Sequence, residues 1–237
     1  MLQSDVKLTG KLVIQKFDDA NKLVYETEVK NLVVTSGKQF IASRIVGSTG
    51  AIPVMGFMAI GDDASVASTI QTTLVNELAR VAVDSATASG TNSTFVATFP
   101  AGTGTGNIVE ASITNTSAAS VISFDGDIAV DDGGDTITYT AHGFVTGDLV
   151  TYTDGGNTTI TPLTDGAQYY IIKVSNDVVK LASSSANAIA GTAINITGTS
   201  GLGHKLSKGT MLCRTTFPVI AKSSSETLAI SWVITVG

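Results

Sequence analysis

The chain has 237 residues, of which 14% are charged and 43% apolar, with a formal net charge of −6 and a mean hydropathy of +0.30. A nucleic-acid binder needs a basic stripe, and the nearest thing to one is Lys205 with Lys208; no apolar run reaches the roughly 18 residues of a membrane-spanning helix. The low charge, with abundant Thr, Ser, Gly and Asn, favours strands and turns, and the high hydropathy favours burial against other copies or other proteins.

Residues 6–34 alternate between apolar and polar: VKLTGKLVIQKF, then DDANK, then LVYETEVKNLVV. The pattern predicts a β-hairpin turning at Asp18–Asn21. In TSGKQFIASRIVG, Thr35 or Ser36 caps a short helix, Phe40, Ile41, Arg44 and Ile45 recur at helical spacing, and Gly47 ends it. AIPVMGFMAIGDD reads as a buried strand closed by Gly61-Asp62-Asp63. IQTTLVNELAR fits either helical turns or an extended arm. ARVAVDSATASG and TNSTFVATFPAG are two strands turning near Gly90–Asn92, GTGTGN is a turn, and IVEASITN is a strand. TMLCRTTFPVIAK and ETLAISWVITVG follow much later, parted by Ser223-Ser224-Ser225. Val96, Phe99, Ile108, Phe217, Trp232 and Ile234 are the expected core.

Residues 119–206 differ in character. FDGDIAVDDGGDTITYT, LVTYTDGG, QYYIIKV, DVVKLA and TAINITG are short strands joined by Asp-Gly, Gly-Gly and Asn-Asp turns. ITNTSAAS runs into this stretch and KLSKGTMLCRTTF runs out of it; without it, the flanks make a plain hairpin. Insertions are tolerated at exposed loop tips where chain ends lie close. The expected fold is therefore mostly β. A β-sandwich-like host domain with one short helix spans 1–118, including an N-terminal hairpin arm at 1–34, and resumes at 207–237. A small inserted all-β module occupies 119–206.

The sequence offers little to a catalyst. The two histidines, His142 in AHGFVTGDLV and His204, lie in the module, and no GxSxG is present. Asp125, Asp127, Asp131, Asp132 and Asp135 supply the oxygens a hard cation wants, but without the spacing or closing Glu of an EF-hand loop, so a solvated turn is expected. Two His and one Cys do not build a zinc site. Cys213, in the apolar-alternating MLCRTTF, reads as a buried thiol. GTGTG at 102–106 lacks the Lys-Ser/Thr of a P-loop and its helix. No catalytic residue, cofactor or metal is expected. Phe144, Tyr152, Tyr169 and Tyr170 make either the module's core or a contact patch for carbohydrate or protein, with Tyr169 and Tyr170 on opposite faces of one strand.

The blocks NLVVTSGKQFIASRI, MAIGDD, TLVNELARVAV, FVATFPAGTGTGNIVEASITN and GTMLCRTTFPVIAKSSSETLAISWVITV resemble, in that order, a group of small tailed-bacteriophage structural proteins. Those proteins carry an NLVT-x-x-GK start, an AIG-D/T turn, an ELAR segment, an F-x-AGTGTG-I-EA strand and a closing T-F-x-x-x-K…L-x-I-x-W-x-x-T strand pair. EASITN departs from their EAG-I/L-F-N, with Ser112 for Gly and Thr114 for Phe. HGFVTGDLVTYTDGG…LTDGAQYYIIKVSNDVVKLA resembles a β-module recurring in phage virion proteins, marine and cyanobacterial phages included. The resemblance implies a non-enzymatic virion structural protein, assembled in the host cytoplasm without a signal peptide. It favours a capsid decoration (cement) protein, a homo-oligomer and specifically a trimer, docked on the major capsid protein. The alternative is a tail, neck or fibre-base protein whose module is a spacer or an adhesin for a host-surface glycan. Neither nucleic acid nor membrane is an expected partner. Sheet edges and the N-terminal hairpin would join subunits, with Val6, Leu8, Leu12, Ile14, Val24, Tyr25 and Val29 as the intersubunit arm.

Overall fold

A computed structural model of the chain describes residues 7–45, 53–118, 120–199 and 201–237. The fold is mostly β: three antiparallel sheets and three short helices among the described residues. The chain divides into two compact units. One comprises Met1–Lys38, Val54–Ser117 and Met211–Gly237; the other comprises Gln39–Pro53 and Ala118–Thr210.

The alternating N-terminal stretch forms β1 (Leu8–Phe17) and β2 (Leu23–Lys30). Their turn is tied by Asp18, whose Oδ1 accepts the Ala20 and Lys22 amides, and Asn21 takes the left-handed conformation at φ 60°. The short β3 (Leu32–Val33) leads into α1 (Thr35–Ile45). The Ser36 hydroxyl donates to the Met211 carbonyl, fastening the helix start to a distant strand. A Cβ on Gly37 would lie 2.1 Å from the Leu212 carbonyl oxygen, so this approach requires glycine. Gly47, the expected helix end, lies outside the described residues.

β4 (Phe57–Gly61) is followed by residues 62–76, which form neither helix nor strand, and then by β5 (Glu77–Ala82). The helical turns entertained for 70–80 do not form. ARVAVDSATASG, expected as one strand, is two: the chain changes sheets after β5 and begins β6 (Ser85–Ser89). β7 (Asn92–Phe99) and β8 (Gly106–Thr114) complete this part.

The second unit's sheet contains β9 (Val121–Phe124), β10 (Val130–Asp131), β11 (Thr136–Thr138), β12 (Leu149–Thr153), β13 (Gln168–Lys173), β14 (Val178–Ala182) and β15 (His204–Lys208). Their order is β10-β11-β14-β13-β12-β15-β9. Two helical turns accompany them, which the sequence pattern did not announce. Asp125 caps α2 (Gly126–Ala129), while Ser184 caps α3 (Ser185–Ala190) and Gly191 ends it at φ 74°. TAINITG, expected as a strand, is irregular; Ile194 and Thr197 donate singly to the carbonyls of Leu181 and Thr161.

The chain returns to the first unit with β16 (Met211–Lys222) and β17 (Thr227–Val236). β16 pairs with β8, Arg214 opposite Ser112, so the Ala118–Thr210 part of the second unit is the connection between two hydrogen-bonded neighbours. The first unit is a sandwich of two five-stranded sheets, β2-β1-β17-β7-β6 and β3-β16-β8-β4-β5. Leu12, Ile14, Phe95, Phe99, Trp232 and Ile234 are buried between them. Each such side chain contributes roughly 1.5–3 kcal/mol when fully removed from water. Of the expected core, Phe99, Ile108, Phe217, Trp232 and Ile234 are buried. Val96 is only half-buried, because β7 turns Phe95 and Ala97 inward.

Candidate functional site

The aromatic residues considered for a contact patch are mostly interior. Phe144 and Tyr152 have no exposure and Tyr169 is buried with them in the second unit's core; only Tyr170 is half-exposed. This overturns a surface role for the first three, since aromatic burial is what a small β core needs. The Tyr152 hydroxyl accepts the Ile160 amide at 3.0 Å and shares a 2.8 Å hydrogen bond with His204 Nδ1. Their rings stack with centroids 5.8 Å apart, and the Phe124 ring lies 5.7 Å from the same imidazole, tilted by 33°. Burial pushes the Tyr152 phenol up to about 12.

His142 is buried in the turn that opens this unit's central hairpin. The Phe144 amide donates to its Nδ1 at 2.9 Å, so the proton is on Nε2, which donates to the Ser175 carbonyl at 3.0 Å. The imidazole is therefore neutral, with both nitrogens committed to backbone. It braces a turn in which Ala141 and Gly143 have φ of 53° and 72°. His142 is thus held by backbone groups of its own turn and of Ser175, whereas His204 Nδ1 is held by the Tyr152 hydroxyl.

The acidic stretch is committed to backbone amides, local and distant. Asp125 accepts the Asp127 amide, Asp131 the Gly133 amide, and Asp135 the Ile196 amide. No group of three or more His, Cys, Asp or Glu suited to a metal occurs among the described residues. Cys213 is fully buried and burial pushes its thiol far up, leaving it unreactive at neutral pH.

The expected intersubunit arm needs correction. β1 runs between β2 and β17, and Leu12 and Ile14 have no exposure, so both are core residues closed to another chain. Leu8, Tyr25 and Val29 are half-buried, Val24 is 48% exposed, and Val6 lies outside the described residues. What this region offers outward is the edge strand β2. It carries charged side chains, with Lys11 bonding Glu28 and Gln15 bonding Glu26 across the hairpin.

The densest polar arrangement is one that sequence pattern alone does not announce. Glu110 on β8 and Arg214 on β16 are both fully buried, on the face of their sheet roofed by residues 62–76. Arg214 Nε and Nη2 each lie 2.8 Å from Glu110 Oε2. Arg214 Nη1 donates to the Ser65 carbonyl and to Gln71 Oε1. The Asn76 amide donates to Glu110 Oε1 at 3.0 Å. A Cβ on Gly61 would fall 2.4 Å from that same oxygen, so the glycine of AIGDD makes the room. The signal in the sequence was a charge interrupting each of two apolar strands, IVEASI and MLCRTT. Such a pair, closed to solvent, fixes an irregular segment in place.

Comparison with family models, with characterised proteins and with solved structures finds no match to this chain.

Proposed function

We propose that the chain is a non-enzymatic structural protein of a bacteriophage virion, and specifically a capsid decoration protein that stabilises the head through contacts between subunits. The observation that carries this reading is the ordered set of blocks from NLVVTSGKQFIASRI to LAISWVITV, resembling tailed-phage structural proteins. The roles of residues in those blocks support it. Gly61 of MAIGDD, Glu110 of IVEASITN and Arg214 of MLCRTTF converge on one buried ion pair, and Glu77 and Arg80 of NELAR bond each other. These are architectural tasks. A sandwich with a second β unit between adjacent strands also suits a protein that docks with one part and presents another. In this reading the chain assembles in the host cytoplasm, acts as a homo-oligomer and binds the major capsid protein.

Counting copies in purified particles tests the proposal. A decoration protein is expected at on the order of hundreds per virion, because it follows the symmetry of the shell. A count on the order of ten places it instead at the tail, neck or fibre base. Glycan cleavage by the purified protein would overturn the non-enzymatic reading altogether.

A further inference from the structure

The sandwich has unequal sheet edges. β3 is two residues long, β5 carries Glu77 and Arg80, and β2 carries Glu26, Glu28 and Lys30. β6 is Ser85-Ala86-Thr87-Ala88-Ser89, with every residue exposed, no charge and no proline. An edge strand presents unpaired N–H and C=O groups, and proteins ordinarily blunt it with brevity, charge or proline. β6 has none of these protections.

We infer that β6 is where a second copy of this chain adds, antiparallel, across a two-fold axis through Thr87, joining two five-stranded sheets into one. The sequence of β6 is the same read in either direction. A two-fold axis at Thr87 sets Thr87 against Thr87, Ala86 against Ala88 and Ser85 against Ser89 of the other copy. Antiparallel edges turn alternate residues' N–H and C=O outward. Because the strand is symmetric about its centre, the outward set on one copy meets the same set on the other, as an isologous contact requires. The faces agree as well. Ala86 is opposite Phe95 on β7 and Thr87 is opposite Thr94, so the alanines of both copies continue the apolar face and the hydroxyls share the other. Cross-strand Thr–Thr pairs are favourable.

Charge singles out this edge and this occupant. Asp84, just before β6, falls opposite Gly90 of the other copy, so no like charges meet. A two-fold axis through Thr27 on β2 would instead set Glu26 against Glu28, which is destabilising. A foreign strand would gain nothing from the symmetry of β6. The contact is small, well under the roughly 1,200 Å² of a stable interface, so pairing is weak in solution and strengthens when copies are held close together. It joins copies two by two, whatever higher assembly they form, and does not depend on the virion reading.

The test is disulfide trapping of the full-length protein. Cys213 is buried, so an introduced surface thiol is the one that reacts. Directly opposed residues of an antiparallel pair have Cα atoms about 4.5–5.5 Å apart, within disulfide reach. Thr87→Cys is expected to form a linked dimer roughly tenfold faster than Asp19→Cys, at an exposed turn tip, owing to the raised effective concentration. Ala86→Cys and Ala88→Cys are expected to link to each other when mixed, and slowly when alone. Thr87→Lys, folded by circular dichroism, is expected to abolish the concentration-dependent association of the cysteine-free surface in sedimentation. Thr87→Cys linking no faster than Asp19→Cys, Ala86→Cys linking to itself as fast as Thr87→Cys, or undiminished association of Thr87→Lys would each overturn the inference.

Discussion

Arg214 and Glu110 meet at 2.8 Å on neighbouring strands with neither side chain exposed. Removing one member leaves the other charged and buried, which costs about 3–5 kcal/mol. Arg214→Met should lose that much stability in urea unfolding. The double change Arg214→Met with Glu110→Leu should recover most of it, because two apolar residues replace the pair. Both variants should also be cleaved faster by protease within 62–76, since Ser65 and Gln71 lose their Arg214 anchor in each and Asn76 loses its Glu110 anchor in the double change.

Gly61 should tolerate no side chain. A Cβ there would lie 2.3 Å from the Asn76 carbonyl oxygen and 2.4 Å from Glu110 Oε1. Gly61→Ala is expected to cost about 1–3 kcal/mol by overpacking. In a Glu110→Ala background the loss should shrink but not vanish, because the Asn76 carbonyl remains. Melting temperatures of the four combinations check this.

Tyr152→Phe should destabilise the protein by about 1–3 kcal/mol, since the buried Ile160 amide loses its acceptor. The alkaline behaviour should change too. The Tyr152 phenol is raised from 10.0 to about 12 in the folded chain by burial. Between those values the unfolded chain releases this proton first, so stability falls as pH rises through that window. The difference between wild type and Tyr152→Phe should therefore narrow from pH 10 toward about 12, which denaturant titrations at stepped pH would reveal.

Glu226 gives the acid counterpart. Its carboxylate accepts the Ser223 amide at 2.7 Å and pairs with Lys16 at 2.9 Å, and these partners hold it down to about 2 from an ordinary 4.5. A depressed carboxyl stabilises the fold above its unfolded value, and that contribution disappears as pH falls toward the folded one. Glu226→Gln should be less stable than wild type at pH 7, with the gap closing between pH 4.5 and about 2. A gap independent of pH would show that the carboxylate's charge is not responsible.

The strands of the sandwich were legible because alternation records which residues share a face. β1, β2, β7, β16 and β17 all fall within stretches that alternate. Alternation does not say which face is covered, so in β7 it does not tell Phe95, which is buried, from Val96, which is not. Tyr152 and Tyr169 were ambiguous for the same reason: an aromatic in a short strand suits a core as well as a surface, and only the packed sheet decides. The Glu110–Arg214 pair spans 104 positions in sequence, and neither residue by itself indicates its partner. The passage from β5 to β6 was hidden because changing sheets at Val83–Asp84 leaves no glycine or proline behind.

β1 pairs with β17 along its length, from Leu8 opposite Val236 to Phe17 opposite Thr227. Every strand of the second sheet lies between Val121 and Lys208. During synthesis, that later-made sheet can therefore close while the sandwich begun before it is still missing two central strands. β1, β7 and β8 must wait with open sides through the making of an entire second unit. That interval, rather than the folded state, is when this chain is most open to mispairing with its neighbours.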